Sequence, residues 1–263
     1  MTILAIDFGG TQIKSALVSE EFALEKSLPT RSSPQTLNQT LDVIDYLVTS
    51  VKVALTGIAI SVPGTVDTDE GVIYHGGLLR FFHGFRIKDI LEAKYHLPVT
   101  ALNDGKAAAL GELAMGHLQG VTNGAALVLG SGLGGGLIIN GKLFQGSHFQ
   151  AAELTFLLPV QMEKVNPSQM RGTDLSAVGF ITRVNEVLGN ADLKDGREAF
   201  KAINARNEAV YPIFEAYCRS LAITILNLQS IFDMETFVLG GGISAQPVLI
   251  EEVNRQFDKV HHE

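Results

Sequence analysis

Near its start the chain carries a carboxylate at the end of an apolar strand, followed at once by two glycines and a hydroxyl: Ile3-Leu4-Ala5-Ile6 runs into Asp7-Phe8-Gly9-Gly10-Thr11. Paired glycines let the backbone turn tightly and bring its N–H groups against an anion, and a carboxylate two residues earlier can hold a hydrated cation. That chemistry suits a phosphate and magnesium; an ordinary glycine-containing hairpin is the plain alternative. Alternation resumes in Ile13, Ser15 and Leu17, so the glycines sit in a hairpin, with Lys14 on its returning strand. This separates the segment from the strand, glycine, helix order of a P-loop or a dinucleotide fingerprint, whose spacings are absent.

A second glycine cluster is denser. The strand Ala125–Leu129 ends in Gly130-Ser131-Gly132-Leu133-Gly134-Gly135-Gly136, and after Leu137 to Asn140 comes the hairpin cue Asn140-Gly141. Such a run leaves backbone N–H groups open to a phosphate, or else marks a bulged, twisted hairpin at a sheet edge. A third loop, Gly240-Gly241-Gly242-Ile243-Ser244, follows a strand and leads toward a helix whose N-terminus could face a ligand. Between the first two loops, Pro98 to Leu102 delivers Asn103-Asp104 to the start of a helix near Gly105. Asp104 reads in two ways: as the helix N-cap, or as a base taking a proton from a hydroxyl that attacks a phosphoryl group, with Asn103 orienting the substrate.

The elements that must position these residues alternate. β-rich runs at 3–6, 13–18, 55–62, 97–102, 125–130 and 136–140 are interleaved with helix-like runs at 36–50, 86–95 and 105–118, which predicts an α/β protein. Helical periodicity returns at 174–189, 196–203 and 207–231, then a strand at 235–239 and a helix from Pro247. A strand with a glycine-rich hairpin occurs near residue 3 and again near 125, so each of two lobes begins in the same way, with the boundary between Asn103 and Lys106. Glu251-Glu252 reads as the wet face of the last helix.

Composition sets bounds. The 263 residues carry a net charge of −8 and 46% hydrophobic content, enough for a core and without the basic footprint that nucleic acid or an anionic membrane demands. One cysteine, Cys218, excludes an intrachain disulfide and a zinc site of several thiolates, reads as a small buried hydrophobe, and fits a reducing cytosol. No charged leader with an apolar core opens the chain and no apolar run reaches membrane-spanning length, so a cytoplasmic protein is expected. His75, His83, His96, His117 and His148 show no pairing that points to a metal, and His261-His262 reads as a solvated tail.

Together these motifs resemble the ROK family of sugar kinases and related repressors, within the actin, hexokinase and Hsp70-like ATPase superfamily. Asp7 to Thr11 is similar to the family's first phosphate motif, Leu102-Asn103-Asp104 to its catalytic Asn-Asp, Gly130 to Gly136 to its second phosphate motif, and Val238 to Ser244 to its adenosine-side loop. Ser61-Val62-Pro63-Gly64-Thr65-Val66-Asp67 resembles the loop that closes over the sugar, and Phe149-Gln150-Ala151-Ala152-Glu153 the segment whose Glu bonds sugar hydroxyls. The resemblance implies a two-lobed actin-like (ribonuclease H-like) α/β fold with an interlobe cleft. It sets residues 1–104 as the sugar and phosphate side and 105–263 as the nucleotide side.

It also implies transfer of the γ-phosphoryl group of ATP to a sugar hydroxyl, with Mg2+. Asp104 would be the base, with Asn103, Glu153 and Gly64 on the sugar. Gly9, Gly10, Thr11 and Lys14, with Gly130, Ser131 and Gly132, would receive phosphates, and Asp7 would place the metal through water. Gly241 and Gly242 would lie at the adenosine end. A homodimer is a further implication, although core packing is the simpler use for the apolar helix at 207–231.

Departures from the family pattern matter too. Phe156 stands where many members place a His serving both the sugar and zinc, and Gln161 to Thr173 has no cysteine, so no zinc is expected. Gly172 or Thr173 aligns with the second sugar-binding Glu, with Asp174 as a substitute, and an expected Asn is replaced within Gly76-Gly77-Leu78-Leu79. Fewer hydroxyl-reading groups, and apolar Phe156, Leu78 and Phe81, point to a larger or substituted sugar such as a β-glucoside. The same losses leave open a sugar-binding or regulatory protein impaired in catalysis. A repressor is disfavoured because residue 7 already begins the phosphate motif, and an assembly ATPase because the chain is short for one. The chain also ends soon after Pro247, where the family adds a further short element, so a truncated second lobe or differently held lobes are expected.

Overall fold

The computed structural model describes residues 1–158 and 170–262. In chain order its elements are β1 (Thr2–Phe8), β2 (Gln12–Ser19), β3 (Leu24–Ser27), β4 (Arg31–Ser32), α1 (Leu37–Ser50), β5 (Leu55–Val62), β6 (Thr65–Asp67), β7 (Val72–His75), β8 (Phe85–Arg86), α2 (Ile87–Tyr95), β9 (Val99–Asn103) and α3 (Asp104–Met115). There follow β10 (Gly124–Leu129), β11 (Leu133–Ile139), β12 (Lys142–Phe144), α4 (Arg171–Asp174), α5 (Ala177–Leu188), α6 (Gly196–Asn204), α7 (Tyr211–Phe232), β13 (Thr236–Gly241) and α8 (Pro247–His262). Two compact units result: Met1–Ala107 with Gln145–Ala151, and Ala108–Phe144 with Ala152–Glu263. The short segment Gln145–Ala151 thus joins the first unit although its neighbours in sequence lie in the second.

In the first unit the sheet runs β3-β2-β1-β5-β9, with β4 on β2, and a small β6-β7-β8 sheet stands apart from it. β1 pairs antiparallel with β2 and parallel with β5. Alternation sends Leu4, Ile6 and Phe8 into the core with Ile13 and Leu17, and their neighbours Ala5 and Asp7 to the opposite face. Asp7 is therefore opposite Lys14 on one side and level with Ser61 on the other. Ile44, Leu47, Leu91, Ile58 and Phe82 complete this core.

The second unit repeats the arrangement, since β10 pairs antiparallel with β11 and parallel with β13. Its core is built on α5, α6 and α7, where Phe180 stacks on Tyr217 at 4.5 Å and meets Phe200 and Phe214 edge-on or tilted. Pro212 lies in the first turn of α7, and Gly189 ends α5 in a left-handed conformation.

The helix expected over 174–189 begins at Ala177, after the short α4 has ended at Asp174: Ser176 is its N-cap, its hydroxyl accepting from the Gly179 N–H. The helix expected from 207 begins at Tyr211. Glu252 corrects the reading of Glu251-Glu252 as a wet face: it is 3% exposed and accepts from Arg255 Nε, Gln256 Nε2 and, at 3.3 Å, Tyr211 Oη. Three donors compensate the buried carboxylate. Among the described residues no helix is long and apolar enough to cross a membrane.

Candidate active site

The first unit gathers its candidates at one end of the β1, β5 and β9 strands. The tip between β1 and β2 closes through Gly9 N–H to Gln12 O at 3.0 Å, and Ser33 ties it down by donating to Gly9 O at 2.6 Å. Leu78 leans on this tip: a Cβ on Gly10 would lie 2.8 Å from its Cδ1. Ser61 Oγ donates to Asp7 Oδ1 at 2.7 Å, which fixes the carboxylate and leaves its other oxygen for a further partner.

Asn103, not Asp104, supplies the side-chain cap of α3. Asn103 Oδ1 accepts from the Lys106 N–H at 3.0 Å, while Asn103 Nδ2 donates to Gly64 O at 2.9 Å and to Asp104 Oδ1 at 3.1 Å. One buried side chain therefore fixes the helix start, the Pro63-Gly64 loop and the neighbouring carboxylate. Asp104 sits on the first helical residue, open to solvent on one side and accepting the Gly105 N–H at 2.8 Å. Protein crowding around the rest of the carboxyl raises its pKa above the ordinary value; the Gly105 N–H opposes this, and the Asp7 carboxylate adds to the rise. Gly64 has φ +96°, and a Cβ there would fall 1.6 Å from His75 O, so only glycine fits.

The second unit brings Gly130, Ser131, Gly132 and Gly241 together around Leu129, which pairs with Leu133 on one side and Gly241 on the other. The Gly130 carbonyl accepts from the Ala177 and Val178 N–H groups at the start of α5. Gly134, Gly135 and Gly136 are not in the loop: they pair with Val128, Leu127 and Ala126 inside the sheet. Gly135 is small there for packing, since its Cβ would meet Leu154 and Ala126 O at about van der Waals overlap, 2.9 and 3.0 Å. Ser131 is exposed at the tip. Gly242 follows β13, and Ser244 Oγ closes the turn by donating to Gly241 O at 2.9 Å.

Half-buried Glu153 precedes a short turn over Leu154–Phe156, whose Thr155 Oγ1 accepts the Leu133 N–H and donates to Leu133 O. That turn therefore packs on the Gly132 hairpin. Phe156 is 62% exposed. The part of 161–173 expected to lack a zinc loop lies, up to residue 169, outside the described residues.

Each unit thus carries a glycine-tipped hairpin beside a parallel strand in an α/β fold. The comparisons carry this further. The ROK family model matches residues 3–262, and the chain belongs to the ROK family. It is 30% identical over 268 aligned positions to a beta-glucoside kinase of Listeria monocytogenes, covering 98% of this chain and 88% of the relative. Among solved structures it resembles a ROK family protein from Streptococcus pneumoniae TIGR4 in complex with sucrose (TM-score 0.84, 33% identity, 99% and 87% coverage). It also resembles a ROK family glucokinase from Streptomyces griseus in complex with glucose and AMPPNP (TM-score 0.83, 25% identity, 98% and 89% coverage). The fold is that of the actin-like ATPases, and the protein is an ATP-dependent sugar kinase that works with Mg2+.

Proposed function

We propose that the chain phosphorylates a hydroxyl of a β-glucoside or similar substituted hexose, with Asp104 as general base. Support for the base comes from one arrangement: a solvent-accessible carboxyl of raised pKa, locked by Asn103 and Gly105, at the end of the strand nearest the Gly64 loop. Once ionised, a base of raised pKa binds the departing proton more strongly than an ordinary carboxylate. The sugar oxygen attacks the γ-phosphorus of ATP, its proton passes to Asp104, and ADP leaves. Asn103, Gly64 and Glu153 hold the sugar.

The donor set of the first hairpin fits a hydrated Mg2+, since Asp7 keeps one oxygen on Ser61 and one available, and such ions retain most of their waters. When bound, the ion supplies charge neutralisation for the phosphates. Gly9, Gly10, Thr11, Lys14, Gly130, Ser131 and Gly132 form the phosphate side, where the Gly9 and Gly130 N–H groups hold their own turns through Gln12 O and Gly132 O and the Lys14 ammonium supplies positive charge, and Gly241 and Gly242 admit the adenosine end.

Two exposed apolar side chains support the substituted sugar. Phe156 is 62% exposed and Leu78 68% exposed, both where hydroxyl-reading groups are common in the family, and an apolar aglycone would cover such surface. The beta-glucoside kinase relative agrees with this. A cytoplasmic setting fits the single cysteine. The test is coupled ADP release with Mg-ATP against free hexoses, N-acetylated hexosamines and β-glucosides, run beside Asp104→Asn. Turnover preferring β-glucosides and lost in the variant is the expected result; equal turnover of glucose and β-glucosides refutes the substrate, and an active variant refutes the base.

A further inference from the structure

Lys106 is the most deeply buried charged side chain of the first unit, 1% exposed, and nothing in the phosphoryl transfer above uses it. Its Nζ donates to the Phe149 carbonyl at 2.7 Å. Phe149 belongs to Gln145–Ala151, the segment that crosses into the first unit, and its φ is +56°, a left-handed conformation that a bulky residue adopts only when its surroundings hold it there. Ala152, which directly precedes Glu153, also has a positive φ, +61°. At its other end the segment is held by Thr68 Oγ1, which donates to Gln145 Oε1 at 2.7 Å, and it closes on itself through Ala151 N–H to Gln145 O at 3.1 Å.

We propose that Lys106 is a positioning residue for sugar binding: from the capped first turn of α3 it clamps the carbonyl of left-handed Phe149 and so sets the course of the chain into Glu153. The argument rests on the reading of Glu153 as a sugar ligand. A methylene stem alone would fill the same space, so burial does not explain the ammonium; the Phe149 carbonyl receives a charged donor from it. Because Lys106 lies two residues after Asp104, the base and the segment leading to the sugar ligand are registered by one helical turn.

The experiment combines Lys106→Met, Phe149→Gly and the double variant, with kinetics for a β-glucoside and for ATP, and hydrogen–deuterium exchange of the intact protein. In Lys106→Met the sugar KM is expected to rise about tenfold while the ATP KM stays within about twofold, and amides of residues 145–151 are expected to exchange faster than the rest of the first unit. Phe149→Gly removes the strain that needs the clamp, so adding Lys106→Met to it is expected to cost clearly less than it does alone. Unchanged exchange in residues 145–151, equal rises in both KM values, or fully additive effects would overturn the proposal. Exchange does not depend on turnover, so a parent protein inactive on every sugar would count against Glu153 and the kinase substrate while the clamp is still read directly.

Discussion

Asp104 carries opposite consequences for catalysis and for stability, and both follow from its raised pKa. As the proposed base it must be ionised, so sugar kcat/KM is expected to fall with decreasing pH along a limb above the ordinary aspartate value of about 3.9. A pH-rate profile checks this, and a limb at or below that value would contradict the burial argument. For folding, a carboxyl whose native pKa exceeds its unfolded one stabilises the fold in full only below the unfolded pKa, and that contribution is lost as pH rises through the native pKa. Above the native pKa the ionised form therefore opposes folding. Asp104→Asn keeps an acceptor for the Gly105 N–H while removing the charge, so thermal unfolding should show an equal or higher midpoint in a variant whose kcat has dropped by about 10² to 10⁴. A lowered midpoint would mean that the carboxylate is held by partners stronger than those seen.

Elements place these residues through their ends, and the ends were unevenly legible. Strand β1, its glycine turn and its returning partner could be read from alternation alone, because a hairpin is local. The start of α3 was legible as a position but not in its chemistry. Both Asn103 and Asp104 are good caps, and the one that takes the role, Asn103, also bonds the Gly64 carbonyl 39 residues away, a contact the local sequence does not record. Replacing Asn103 by Ala should cost about 1 kcal/mol for the cap alone, and more with the lost Gly64 bond, measured by urea unfolding. The run of glycines at 130–136 misled for a related reason: composition cannot tell a glycine that turns from one that makes room, and Gly135 makes room for Leu154. At the end of β13, Gly241 has φ +102° and a Cβ there would fall 2.1 Å from Leu129 O, a backbone atom that cannot step aside. Gly241→Ala should destabilise by more than about 1 kcal/mol and raise the ATP KM, checked by unfolding and by kinetics.

Across the whole molecule, the twin plan of strand and hairpin could be read from the sequence, whereas the parallel pairings of β5 with β1 and β13 with β10, the small β6-β7-β8 sheet and the transfer of Gln145–Ala151 into the first unit could not. The transfer depends on partners far apart in the chain, Thr68 with Gln145 and Lys106 with Phe149, which no periodicity records, and the strands of the small sheet are too short to show alternation. With one cysteine in the chain and none in 161–173, metal should matter for turnover alone. Chelation is expected to stop phosphorylation, Mg2+ to restore it, and the unfolding midpoint to be unchanged; a fall in the midpoint would reveal a structural metal. The same lone cysteine offers a clock. Cys218 is 0% exposed on α7, inside the core of the second unit, and burial pushes its thiol pKa well above the usual range. A thiol-alkylating reagent added to the native protein can therefore modify it only during excursions that open that core. Since there is no second thiol to blur the signal, the labelling rate times the opening of one unit while the other is silent.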